Sequence, residues 1–84
     1  MDKQTLKRIE KAKQIAKKDY EDAMKRDDSF NPNLKRKWRE IKDTKNNRIA
    51  YALNGTPDKA FVFYYPEIGK IFALRWDGSL IKEV

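Results

Sequence analysis

The sequence predicts an α+β fold: two N-terminal helices, the second either continuous or broken, packed on a three-stranded antiparallel β-meander. Three observations carry this. Apolar residues between positions 2 and 26 recur at three- and four-residue steps, the basic stretch after residue 34 keeps that period, and from Ala60 onward aromatic and β-branched residues run between turn signals. At 84 residues the chain has the length of one small domain, with a basic helical half over residues 1–54 and a β half over residues 59–84.

The first helix is read from Leu6, Ile9, Ala12, Ile15, Ala16, Tyr20, Ala23 and Met24, which line one face. Pairs four residues apart, such as Lys17 with Glu21 and Asp22 with Arg26, support it from the solvent side. The stretch Asp27-Asp28-Ser29-Phe30-Asn31-Pro32-Asn33 should stop this helix and start the next, since Asn and Ser cap free N–H groups and Pro suits a first turn. Phe30 is expected to anchor the connection in the core.

The second helix is read over residues 34 to 54, with Leu34, Trp38 and Ile41 on one side and Ile49, Ala52 and Leu53 restoring the period beyond a weak point at Asn46. A competing reading takes Ile49, Tyr51 and Leu53 as one face of a strand. Asn54-Gly55-Thr56-Pro57 then stops either element.

Three strands follow. Ala60 to Tyr65 turns through Pro66-Glu67-Ile68-Gly69 into residues 70 to 76, and Asp77-Gly78 signals a two-residue type I′ hairpin into residues 79 to 84. These turns place Phe63 opposite Phe72, Leu74 opposite Ile81 and Trp76 opposite Ser79. One face collects Phe61, Phe63, Phe72, Leu74, Trp76 and Ile81 and is expected to lie under the helices. The other carries Val62, Tyr64, Ile71, Ala73, Arg75, Leu80 and Lys82 and is expected to be open. The order of elements is also similar to a winged helix, with residues 34 to 54 as a helix-turn-helix and the 60 to 76 hairpin as the wing.

Charge is segregated along the chain. Residues 1 to 45 hold fifteen Lys and Arg against nine Asp and Glu, a net of +6, whereas residues 46 to 84 hold five against four, a net of +1. Seven of the ten aromatic residues lie after Arg48. A positive field of this kind bears on association with anionic partners rather than on a reaction.

The chain has no cysteine, hence no disulfide or thiolate site, which fits a cytoplasmic location. It has no histidine, the commonest general base and metal ligand, so no metal or other cofactor is expected. No apolar run approaches the length of a membrane span, and no small-molecule site is indicated. Glycines 55, 69 and 78 are each explained by a turn and form no phosphate-cradling loop. Asp58 with Glu67-Ile68-Gly69-Lys70 is similar to the acid, acid-x-lysine layout of a metal-dependent nuclease, but its lysine falls one residue late. Glu40-Ile41-Lys42 has the right spacing, and on a helix its two side chains diverge. The expectation is a protein that binds rather than catalyses.

Two kinds of partner follow. A nucleic acid would be held through phosphate contacts from Lys7, Lys11, Lys35, Arg36, Arg39, Lys42, Lys45 and Arg48. Alternatively, an acidic protein partner, or a second copy of the chain, would dock on Tyr64, Arg75, Leu80 and Lys82, which makes the chain an inhibitor or adaptor of the sort mobile elements encode. For Trp38 a core position is the simpler assignment, and for the lysine run the simpler assignment is a solvated helix face.

Overall fold

The computed structural model describes residues 1–29, 31, 36–54 and 59–84. The expected Phe30 anchor, Leu34, Lys35, and the turn at residues 55–57 with Asp58 lie outside them. The protein is α+β, but the described residues form one long helix and a five-stranded antiparallel sheet in place of two helices and three strands. Helix α1 spans Lys3–Arg26, and strands β1 (Trp38–Asp43), β2 (Arg48–Leu53), β3 (Ala60–Tyr65), β4 (Lys70–Leu74) and β5 (Leu80–Glu83) form a meander in chain order.

Helix α1 is delimited by local chemistry. The Asp2 carboxylate accepts from the Thr5 N–H at 2.7 Å, and this bond holds the carboxyl below its ordinary pKa. At the other end Ser29 N–H donates to Met24 C=O and Asp28 N–H to Lys25 C=O, a Schellman closure with Asp28 at φ +55°. Ile9, Ala12 and Ala16 are fully buried, and the two alanines let the helix approach β3 and β4 closely. Leu6, expected on the same face, is instead exposed. Arg8 ties the helix to the sheet by donating to the carbonyls of Gly69 at 2.9 Å and Val84 at 3.1 Å.

The second helix does not exist in the described part of residues 34 to 54. Trp38–Asp43 and Arg48–Leu53 form a hairpin joined by the 3-10 turn Thr44–Asn46 and by Asn47 at φ +51°. The Asp43 carboxylate caps that turn, accepting from the Asn46 backbone and side-chain N–H groups. The helix reading failed because Trp38 and Ile41 stand three apart. On an outermost strand the remaining positions can all be charged without cost to the core, so β1 carries no alternation to betray it. The winged-helix order falls with it, since the supposed helix-turn-helix is this hairpin.

The first turn behaves as expected, pairing Val62 with Ala73 and Phe63 with Phe72. The second does not form a two-residue type I′ turn. Gly78 N–H donates to Arg75 C=O and Arg75 N–H to Ser79 C=O, which makes a three-residue loop with only Gly78 at positive φ. Leu74 therefore pairs with Leu80 rather than Ile81, and a bulge at Ile81 restores Ala73 to Lys82 and Phe72 to Glu83.

The helix covers the face opposite to the one expected. Val62, Ile71 and Ala73 are fully buried beneath α1 together with Tyr51 and Leu53 of β2, while Tyr64 and Ile49 pack at the margin. A bulge between Tyr51 and Ala52 leaves Phe61 as the extra residue of β3, and it joins this core, 5.2 Å from Tyr20 and 6.3 Å from Trp38 between ring centroids. On β3 and β4 alone both faces are apolar. The decision comes from β2, which adds Ile49, Tyr51 and Leu53 to one face and alanines to the other. Burial pushes the Tyr51 phenol up to about 12.

Candidate functional site on the open sheet face

Among the described residues no helix lies on the face turned away from α1. Its centre is made by the pairs Ala50 with Phe63 and Ala52 with Ala60, so a floor of small residues runs between taller side chains. The result is a groove of ≈ 670 Å³ bounded by Ile41 on one side and by Phe63, Leu74 and Trp76 on the other. Ile41 is 43% exposed, Trp76 49% and Leu80 51%. Ile41 and Trp76 line the groove, while Leu80 stands farther out on β5, at the opposite edge of the sheet from Ile41.

Cations stand on these rings. The Arg48 guanidinium lies 3.8 Å from the Phe63 ring centroid, donates through Nε to Asp43 at 2.8 Å and through NH1 to the Tyr65 hydroxyl at 3.1 Å. Three neighbours thus hold it at once. The Tyr65 hydroxyl, then the Asp43 carboxylate, favour its charged form and raise its pKa. Asp43 in turn is held below the usual carboxylate range by the hydrogen bonds from Asn46 and Arg48. Farther along the same groove Lys59 Nζ lies 4.9 Å from the Trp76 ring centroid. Tyr65 and Phe72 meet edge to face with centroids 5.8 Å apart, which continues the aromatic surface toward the β3–β4 turn.

Strand alternation adds Arg39 to this face, and Lys45 stands exposed on the turn at its border. Neither has a partner among the described residues. Lys42, also exposed and without a described partner, belongs to the other side of β1, where it pairs with Ile49. Arg36 donates to the Asn54 carbonyl at 3.0 Å and lies 5.5 Å from the Tyr20 ring, so it braces the approach to β1. Lys7 and Lys11 lie exposed on α1, remote from the groove on the far side of the sheet.

The protein-docking set is likewise divided. Tyr64 and Lys82 sit on the helix-covered face, Leu80 on the open one, and Arg75 donates to the Leu80 carbonyl at 2.8 Å within the last hairpin. Phe63, Phe72 and Trp76 were expected under helices, and Lys59 was not singled out. The signal for them was Ala50-x-Ala52 next to Tyr51 and Leu53, a strand with one large and one small face. Glu40 and Lys42 do share a strand face, but among the described residues no three acidic side chains gather to hold a metal.

Fold and surface together define a class: a helix-backed antiparallel sheet with an open, aromatic and basic face. In comparisons with known proteins, no family model, no curated protein and no solved structure matches the chain. Among the described residues no helix is long and apolar enough to cross a membrane.

Proposed function

We propose that this is a small basic nucleic-acid-binding protein, one that binds rather than catalyses, and that it holds a single strand on the open face of its sheet. The observation that carries this reading is the pairing of ring and cation twice along one groove, Arg48 on Phe63 and Lys59 on Trp76. An unpaired base has a π-face and a phosphate one bond network away. Flat guanidinium and indole surfaces stack the base, while cations beside them meet the phosphate. Arg39 and Lys45 extend the positive border along the β1–β2 hairpin. The full charge of +7 raises the encounter rate with any polyanion.

A groove with aromatic rings along one wall suits unstacked bases better than a duplex, whose rings are turned inward. The test is equilibrium binding to single-stranded and duplex oligonucleotides, DNA and RNA, over a salt series. Tighter binding of single strands with a steep salt slope supports the proposal. Equal, weak binding of every nucleic acid at physiological salt overturns it and turns attention to a protein occupant of the same apolar groove.

A further inference from the structure

The two edges of the sheet differ in how they are protected. Strand β5 is four residues long, bulged at Ile81 and carries Lys82, features that discourage pairing with another chain. Strand β1 is six residues long, pairs with β2 without a register break, and exposes its four middle residues. Among the described residues nothing pairs with its outer edge.

The hydrogen-bond phase of that edge follows from one contact. Asn54 N–H donates to Lys37 C=O at 2.9 Å, so by antiparallel alternation Arg39, Ile41 and Asp43 turn their backbone groups toward β2. Trp38, Glu40 and Lys42 turn theirs outward. Two copies related by a twofold axis can pair β1 with β1 only when residues of equal phase stand opposite, which puts one residue of the strand opposite itself. Centring on Glu40 opposes two carboxylates, and centring on Lys42 opposes two ammonium groups. Centring on Ile41 sets Arg39 against Asp43 of the second copy, Glu40 against its Lys42, and Ile41 against Ile41. The segment Arg39-Glu40-Ile41-Lys42-Asp43 is thus charge-complementary to its own reverse.

We propose that the chain forms a twofold dimer through β1, antiparallel and centred on Ile41. Glu40 and Lys42 exchange both backbone hydrogen bonds across the interface, and the exposed isoleucines meet at the closely spaced pair. Asp43 already accepts from Arg48 and Asn46, and its remaining lone pairs can take Arg39 of the second copy. The axis stands perpendicular to the sheet, so both helices lie on one side. The two open faces join into one ten-stranded surface, twice the five strands of each copy.

The proposal does not depend on nucleic acid and is tested without it, by sedimentation equilibrium of the full chain. The expected result is a concentration-dependent mass approaching twice 10.0 kDa. Glu40→Lys alone, or Lys42→Glu alone, places like charges opposite each other twice per dimer and should weaken association roughly tenfold or more. The double variant restores opposite charges and should recover the parent affinity, while circular dichroism reports that each variant folds. A parent chain that stays monomeric at every concentration overturns the proposal. So does a single variant that dimerises like the parent, or a double variant as weak as the singles.

Discussion

Replacing Trp76 with alanine separates stacking from charge on the open face. Trp76 is 49% exposed, so about half of the 150–250 Å² such a residue can bury is covered by protein, roughly 100 Å². At ~25 cal/mol per Å² its removal costs at most about 2.5 kcal/mol of stability, which leaves a domain with a typical margin of about 5–15 kcal/mol folded. Loss of one base-stacking platform removes ~1–3 kcal/mol of binding, or roughly five- to 150-fold in Kd. Because indole carries no charge, the dependence of log K on log salt should stay as it was, whereas Lys45→Gln should lower its slope by ~0.7. The assay is fluorescence anisotropy of a labelled single strand at several salt concentrations, with Trp76→Phe as the variant that keeps a ring and most of the affinity. Binding by Trp76→Ala indistinguishable from the parent would refute the stacking argument and leave only electrostatics.

Further predictions concern the scaffold. Phe61→Ala empties a fully buried position between Tyr20 and Trp38 and should cost about 3–5 kcal/mol, read as a lowered urea midpoint. Asp28→Gly relieves a left-handed residue and removes a negative charge from the C-terminal end of α1; it should stabilise by about 1 kcal/mol, a rise of ~4–8 °C in Tm. Tyr51 has its pKa raised in the fold, so its contribution is complete below the ordinary value near 10.0 and is lost as pH climbs to about 12. The unfolded chain releases that proton first, so stability falls across this window by up to about 3 kcal/mol from this group. Tyr51→Phe should show a smaller alkaline decline in chemical denaturation than the parent, with near-equal stability at neutral pH.

Residues whose environment is local were legible in advance. The α1 period, its stop after Arg26 and the Phe63 to Phe72 register follow from neighbours a few residues apart, and each is present in the structure. The basic residues of positions 36 to 48 were visible as a cluster, yet their geometry was not. A helix would have spread them around a cylinder, whereas the hairpin sends Arg39 and Lys42 to opposite faces and places Arg48 on the Phe63 ring.

Composition and spacing by themselves determined an α+β chain with a positive N-terminal half, no thiol or imidazole chemistry, and a tightly turned aromatic hairpin. The tertiary structure decided which face of that hairpin α1 covers. Both faces of β3 and β4 are apolar, and the difference lies in Tyr51, Leu53 and the Phe61 bulge, which act only once β2 is paired beside them. It also decided that residues 38–43 are a strand, since their backbone hydrogen bonds are made to residues 48–53 across a turn rather than within the segment. Pairing across the chain is a property of two segments together, and a pattern read along one of them does not contain it.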